Sequence, residues 1–382
     1  MNPPGLSIIS RPALWREGGQ AWHLTEQLRS YSHTIEALGG YWSCQFTIRG
    51  GRHLIDDWLQ DGLGRHVEVF DDTLTKIWEG FVDRIVANYG PLSVTRGPLM
   101  DTANRVWLCY SSVEYDEDDQ PVVGSRSRTD DADDTDSQTL WGILPRALSS
   151  GGVEATDAEA IRDAYLENHK MPDTSKEWRS DSKAETSVTV DCLGYVHWLN
   201  WHYNDATTGT DNADVKIAAV LADSPNVAWL AYDDEHIDSN ALQVPMWEDE
   251  DNTAWAVVKD AVARGGTSQE RWLFGIYNDL EAWYHAAPTT VLYQQRLSQP
   301  RSRIEFVSGD EVYPWKVRPG QWIMFPDFLI GQAAEFELRD DPRAMFIERV
   351  RFREPWTLEL SGSTADTTEA LIAQLGLSGI GG

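Results

Sequence analysis

Trp42, Cys44, Phe46 and Ile48 occupy every second position of a segment whose intervening residues are polar or small. A period of two is the signature of a half-buried strand, and the same pattern returns along most of the chain. His66-Val67-Glu68-Val69-Phe70 and Lys76-Ile77-Trp78-Glu79-Gly80-Phe81-Val82 flank Asp71-Asp72-Thr73, which predicts a β-hairpin. Leu92–Thr95 and Val106–Tyr110 extend the sheet. Between the first strand and the hairpin, Leu54, Ile55, Trp58 and Leu59 share one helical face over residues 52–59. Residues 1–113 therefore read as a strand–helix–hairpin meander of barrel or sandwich type.

From Glu114 to Ser137 the chain changes character. Glu114, Asp116 to Asp119 and Asp130 to Asp136 form acidic blocks around a Gly-Ser-Arg patch, a composition that predicts a solvated loop. A helix follows at 154–169, with Thr156-Asp157-Ala158-Glu159 as a capping box and Ile161, Tyr165 and Leu166 on its inner face. Residues 170–187 read as another loop, so 114–187 form an acidic loop plus helical insertion. Strands resume at 187–195, and a helix is predicted at 214–222. A second helix is N-capped by Asp251 or Asn252 and stopped by Gly265-Gly266. The hairpin Arg271–Tyr277/Ala282–His285 comes next, followed by strands near 291, 303, 321, 344 and 356. Residues 188–362 thus form the second β-rich segment. Residues 363–382 carry a C-terminal helix, capped by Asp366, and a glycine-rich tail.

Charge narrows the function classes. The formal net charge is −29, with 61 acidic against 32 basic residues. So negative a surface repels DNA and anionic lipid as ligands, and it suits either high salt or a passage that a polyanion must cross without sticking. No apolar run approaches the ~18 residues needed to span a bilayer, and the N-terminus has no signal-peptide pattern. The expectation is a soluble protein made in the cytoplasm with no membrane anchor. The 18 tryptophans are spread from Trp15 to Trp356, which fits both aromatic cores and aromatic interfaces. Cys44, Cys109 and Cys192 form no C-x-x-C pair and read as buried free thiols.

Searching for chemistry assigns nothing: no catalytic, cofactor-binding or metal-ligating residue, and no cofactor. His197 and His202 are spaced five apart, unlike the one-turn spacing of H-E-x-x-H zinc helices. The acidic stretches 130–136, 205–214 and 248–251 miss the EF-hand pattern. Glu79, Glu248, Asp249 and Glu348 are possible glycosidase carboxylates by composition alone. G-x-S-x-G, phosphate-loop and dinucleotide fingerprints are absent. The chain reads as a non-enzymatic building block.

Gly40-Tyr41-Trp42-Ser43-Cys44-Gln45-Phe46, a short helix, Gly64-Arg65-His66-Val67-Glu68-Val69 and the hairpin end Ile77–Val82 occur in an order that resembles the opening of tail-hub, or baseplate-hub, proteins of tailed bacteriophages, the late-control D proteins among them. The helix 252–264 with hairpin 271–285, and the closing pair Ile347–Val350 and Trp356–Leu360, resemble the second half of such proteins. The resemblance implies two tail-tube-like β-barrel domains, at 1–113 and 188–362, in a mainly β chain with α+β insertions. It implies a structural virion protein that forms a homotrimeric ring joining tail tube to tail tip, with DNA passing through unbound. The partners implied are tail-tube, distal-tail and tip or fibre proteins, and the location is the tail of the virion. The alternatives are a hexameric distal-tail or peripheral baseplate protein and, in another class, a carbohydrate-binding or glycan-cleaving tail protein.

Overall fold

The computed structural model describes residues 6–16, 18–115, 120–180, 185–201, 209–222, 230–233, 235–245, 253–268, 270–297, 304–328, 341–353 and 357–363. In chain order the first strands and helix are β1 (Ser7–Arg11), β2 (Trp22–His23), β3 (Leu28–Glu36), β4 (Leu38–Arg49), α1 (Arg52–Asp61), β5 (His66–Phe70), β6 (Lys76–Tyr89) and β7 (Leu92–Arg96). The middle of the chain gives β8 (Arg105–Tyr115), β9 (Pro121–Arg128), β10 (Ala132–Asp133), α2 (Thr135–Trp141), β11 (Pro145–Val153), α3 (Ala155–His169), β12 (Thr174–Trp178) and β13 (Ser187–Leu193). Then come β14 (Asp211–Asn212), α4 (Ala213–Ala222), β15 (Gln243–Val244), α5 (Ala254–Arg264), β16 (Trp272–Ile276) and β17 (Ala282–Ala286). The last are β18 (Val291–Gln295), β19 (Ile304–Phe306), β20 (Trp322–Met324), β21 (Ala344–Arg353) and β22 (Thr357–Ser363).

One large, curled mixed sheet of 16 strands carries most of these elements, a half-barrel in place of the two barrels expected. Its main path runs β19-β18-β20-β21-β3-β4-β13-β6-β5-β1-β2. The two β-rich segments interleave within it. Strand β13 inserts between β4 and β6, with Val190 opposite both Phe46 and Ile85, and β21 pairs with β3 through Val350 and Ile35. The physical reason is visible in the burial of β13: Val188, Val190 and Cys192 all face the core that β4 and β6 line. A strand with one apolar face buries it best where a sheet already supplies neighbours on both sides.

The predicted elements of the first segment are all present, and α1 buries Ile55 and Trp58 completely against the sheet. Sequence reasoning failed where charge dominated. The stretch predicted as an acidic loop contributes the end of β8, its partner β9, and α2. Arg105 pairs with Asp133 at 2.7 Å and Arg128 with Asp131 at 2.8 Å, while the Asp134 carboxylate accepts the Ser137 N–H to cap α2. Those arginines and that cap offset the carboxylates that composition alone would leave in water. Helix α3 starts at Ala155 with Glu154 at its N-cap, so Thr156 lies inside the first turn and no capping box forms. It packs on β8 through buried Ala158, leaving Ile161 exposed. Within the loop expected at 170–187, β12 pairs with β7.

Helix α5 is capped by Thr253, whose hydroxyl accepts the Ala256 N–H at 3.2 Å, and stops at Gly265 with φ 72°. The hydroxyl does there what the carboxyl or amide of the two preceding residues was expected to do, and Asp251 and Asn252 lie outside the described residues. So does the C-terminal helix predicted at 366–375. Most described tryptophans are core residues: Trp58, Trp78, Trp198 and Trp201 are at most 1% exposed. The free thiols are borne out, all three being buried.

Two glycines, Gly40 of β4 and Gly275 of β16, permit the close approach of the two strands. Gly40 adopts φ +76°, and a Cβ there would meet the Ile276 backbone oxygen and nitrogen. Gly40→Ala is therefore expected to destabilise the fold by at least about 2 kcal/mol, read as a lower urea midpoint with an unchanged m-value.

Candidate functional site

Alternation along a strand puts residues two apart on one face, and β5 and β6 use that rule to gather charge. His66 and Glu68 point to the same side of β5, and Glu68 lies opposite Glu79 across the hairpin. Lys76, at the start of β6, reaches both carboxylates, its ammonium 3.0 Å from Glu68 Oε1 and 3.0 Å from Glu79 Oε2. A third contact, 2.7 Å to Asp279 Oδ1, comes from the β16–β17 hairpin. The Asp279 backbone N–H also donates to Glu79 Oε2 at 2.7 Å. The hairpin is present as expected, around the loop Asn278-Asp279-Leu280-Glu281. That loop is a tight turn in which Asp279 and Leu280 have left-handed φ of 59° and 62°. Turning into the left-handed region aims the Asp279 N–H and carboxylate at the cluster. Arg11 of β1 completes the ring with a 2.6 Å bond to Glu68 Oε2.

These groups lie in a largely dry place. The His66, Glu68, Lys76 and Glu79 side chains are all at most 10% exposed, whereas Asp279 is solvent-facing. The His66 ring 3.9 Å away, with the bonds from Arg11 and Lys76, holds the Glu68 carboxyl well below the usual range against the opposing effect of burial. Burial pushes Glu79 up, with His66 and Lys76 pulling the other way. Burial would lower Lys76, but its bonds to Asp279, Glu79 and Glu68 outweigh that and raise it.

His66, Glu68 and Glu79 present ligand atoms within 4.8 Å of one another, the spacing a divalent metal requires. His66 Nδ1 is 2.8 Å from the Tyr195 hydroxyl, the outer contact that orients a metal-ligating histidine. The Lys76 ammonium, however, already lies between the two carboxylates, and a second cation there would meet it as a like charge. The arrangement is a three-carboxylate, two-cation lock that ties the opening strands to the β16–β17 hairpin. Of the carboxylates considered from sequence, Glu79 belongs to this lock. Glu348 instead pairs with Arg271 at 3.0 Å, and Glu248 and Asp249 lie outside the described residues. Sequence reasoning passed over His66, Glu68 and Lys76. The signal available was the H-x-E alternation of β5 facing a glutamate across a predicted hairpin. His197, considered as a ligand, packs on Trp42 and bonds its carbonyl at 3.1 Å, and burial pushes it down to about 4. His202 lies outside the described residues.

Beside the lock, a cavity of about 410 Å³ is lined by Tyr41, Tyr277, Trp283, His285, Arg318 and Gln321, among others. Tyr41 donates to Asn278 Oδ1, so the cavity wall and the lock share one turn. Glu281, also in the wall, accepts the Trp283 indole N–H at 3.2 Å, and it faces His236, which is held by Asp233 at 2.5 Å.

No family model matches the chain, and no curated protein does. Among solved structures it is similar to a tail protein from Neisseria meningitidis MC58, at 10% identity and a TM-score of 0.43, covering 96% of this chain and 99% of that one. It is also similar to the 43 kDa tail protein of prophage MuSo2 from Shewanella oneidensis, at 7% identity and a TM-score of 0.38, covering 92% and 93%.

Removing the central cation leaves two buried carboxylates facing each other. Lys76→Met is expected to cost about 3–5 kcal/mol in chemical denaturation, with Glu79→Gln in the same chain restoring part of the loss. Glu68 gives the pH dependence. Its folded pKa lies below its unfolded one, so its contribution is complete above the unfolded value of about 4.3 and disappears as pH falls further. Thermal midpoints between about pH 2.5 and 6 should fall less steeply in Glu68→Gln than in the wild type.

Proposed function

We propose that this chain is a structural protein of a phage-like tail, a hub that assembles as a homotrimeric ring joining the tail tube to the tail tip. The observation that carries the reading is the Gly64-Arg65 unit between α1 and the β5–β6 hairpin. Gly64 takes φ +77° with the Trp15 ring where a Cβ would be. Arg65 lies 3.5 Å from the Trp22 ring centroid and donates to Ser10 and Gln20 carbonyls. The glycine–arginine pair that carries the sequence resemblance is thus the joint that sets the first hairpin on β1. The cluster next to it spends its charges on internal pairing, which suits a scaffold in which polar groups hold elements in register. A net charge of −29 suits a ring through which DNA slides without binding. In this reading the role is not catalytic, the location is the virion tail, and the neighbours are tail-tube, distal-tail and tip or fibre proteins.

The glycan-binding alternative draws on the 410 Å³ cavity, where Tyr277 and Trp283 supply ring faces and His285, Arg318 and Gln321 supply polar groups. Glycan-array binding lost in Trp283→Ala would favour it.

Native mass measured across salt tests the hub. Copies this acidic repel one another, and salt screens that repulsion, so the trimer fraction should rise as ionic strength goes from about 0.05 to 0.5 M. A hexamer would move the assignment to a distal-tail or peripheral baseplate protein. A monomer under all conditions, with neighbouring tail proteins present, would overturn the ring.

A further inference from the structure

Three side chains of the lock each have one polar atom fixed by an outer partner. The Tyr195 hydroxyl lies 2.8 Å from His66 Nδ1, which leaves Nε2 facing inward. Arg11 holds Glu68 Oε2 at 2.6 Å, and the Asp279 N–H holds Glu79 Oε2 at 2.7 Å. The three remaining atoms face one another: His66 Nε2 is 3.4 Å from Glu79 Oε1 and 3.9 Å from Glu68 Oε1. Atoms bound at about 2.1 Å to one tetrahedral ion stand about 3.4 Å apart. The spacing is that of ligands around a single metal, and partners that orient each ligand from outside are the usual support of such a centre.

Charge agrees with the geometry. The Lys76 ammonium sits 3.0 Å from Glu68 Oε1, so it already shares one oxygen of the triangle. Without it, Glu68, Glu79 and Asp279 would stand against Arg11 alone, leaving two negative charges. One divalent ion cancels both. A cavity of about 320 Å³, lined by Arg11, Gly18, Gly19 and His66 among others, gives the way in from solvent.

We propose that His66, Glu68 and Glu79 are the ligands of a latent divalent-metal centre whose cation this chain supplies itself, as the Lys76 ammonium. Ammonium and metal exclude one another, being like charges that compete for Glu68 Oε1. One imidazole and two carboxylates suit Zn²⁺, Co²⁺ or Mn²⁺. In the metal-bound form His66 Nδ1–H donates to the Tyr195 oxygen and Nε2 gives its lone pair to the ion, which displaces any proton held there. The inference is independent of the tail reading above and of any assembly.

Metal titration of three chains tests it: wild type, Lys76→Met, and Lys76→Met with His66→Gln. Near-UV dichroism checks that each is folded, and the titrant is Zn²⁺ alone. Surface sites on so acidic a protein are common to all three and cancel in the comparison. Lys76→Met should take up one Zn²⁺ more than wild type, and His66→Gln in the same chain should weaken that binding at least about ten-fold. Zn²⁺ should also move the lowered urea midpoint of Lys76→Met back toward the wild-type value, by mass action on the folded state. Co²⁺ in its place should give visible absorption bands that His66→Gln alters. A folded Lys76→Met that gains no ion, an extra ion indifferent to His66, or a wild type that binds through His66 as tightly as the variant overturns the proposal. Should Lys76→Met not fold alone, it is refolded from urea in Zn²⁺. Recovery that requires His66 supports the centre, and failure to recover overturns it, since the metal would then not do what the ammonium does.

Discussion

The Lys76 ammonium, held by Glu68, Glu79 and Asp279, is the contact on which the architecture depends. Lys76 and Asp279 are some two hundred residues apart, and their pairing fixes where the β16–β17 hairpin meets the first strands. A charge buried among carboxylates is strongly unfavourable once any partner is lost. The cluster therefore demands that β1, β5, β6 and the 278–280 turn all arrive together. The parallel contact of β16 with β4, made possible by Gly40, is the neighbouring consequence of the same meeting.

Around that lock the apolar core is continuous. Trp58, Phe81, Trp198 and Trp201 pack with one another or with the sheet, and the C-terminal strands add a smaller cluster around Tyr293, Ile323 and Val350. The smaller cluster borders a cavity of about 690 Å³ near one flank of the sheet, while the exposed Trp178 lies on the other. Tryptophan thus has two roles in this chain: many copies close the core, and one is left outside on a ribbon.

The legibility of the fold followed the strength of the local signal. The β5–β6 hairpin, α1, α4, α5 and the β16–β17 hairpin were readable because apolar periodicity and turn residues agreed there. Strands β9 and β12 and helix α2 were not, since their sequences are polar and their stability comes from partners: β8 for one, β7 for another, and the Asp134 cap for the helix. Of the charged cluster, Glu79 was visible only as one carboxylate among many. What singles it out is Glu68 across the hairpin, Lys76 beside it and Asp279 from some two hundred residues further on.

By itself, the sequence determined that this is a mainly β protein with buried thiols, a strongly acidic surface and a particular run of strands, helices and turns. Each of those is set by side-chain period, by turn stereochemistry or by composition, all local quantities. Only the tertiary structure decided that the strands join one half-barrel in place of two barrels, because strand order depends on which apolar faces meet across long separations. The same holds for the charged residues, whose roles as lock, cap or solvated surface are set by neighbours far away in the chain.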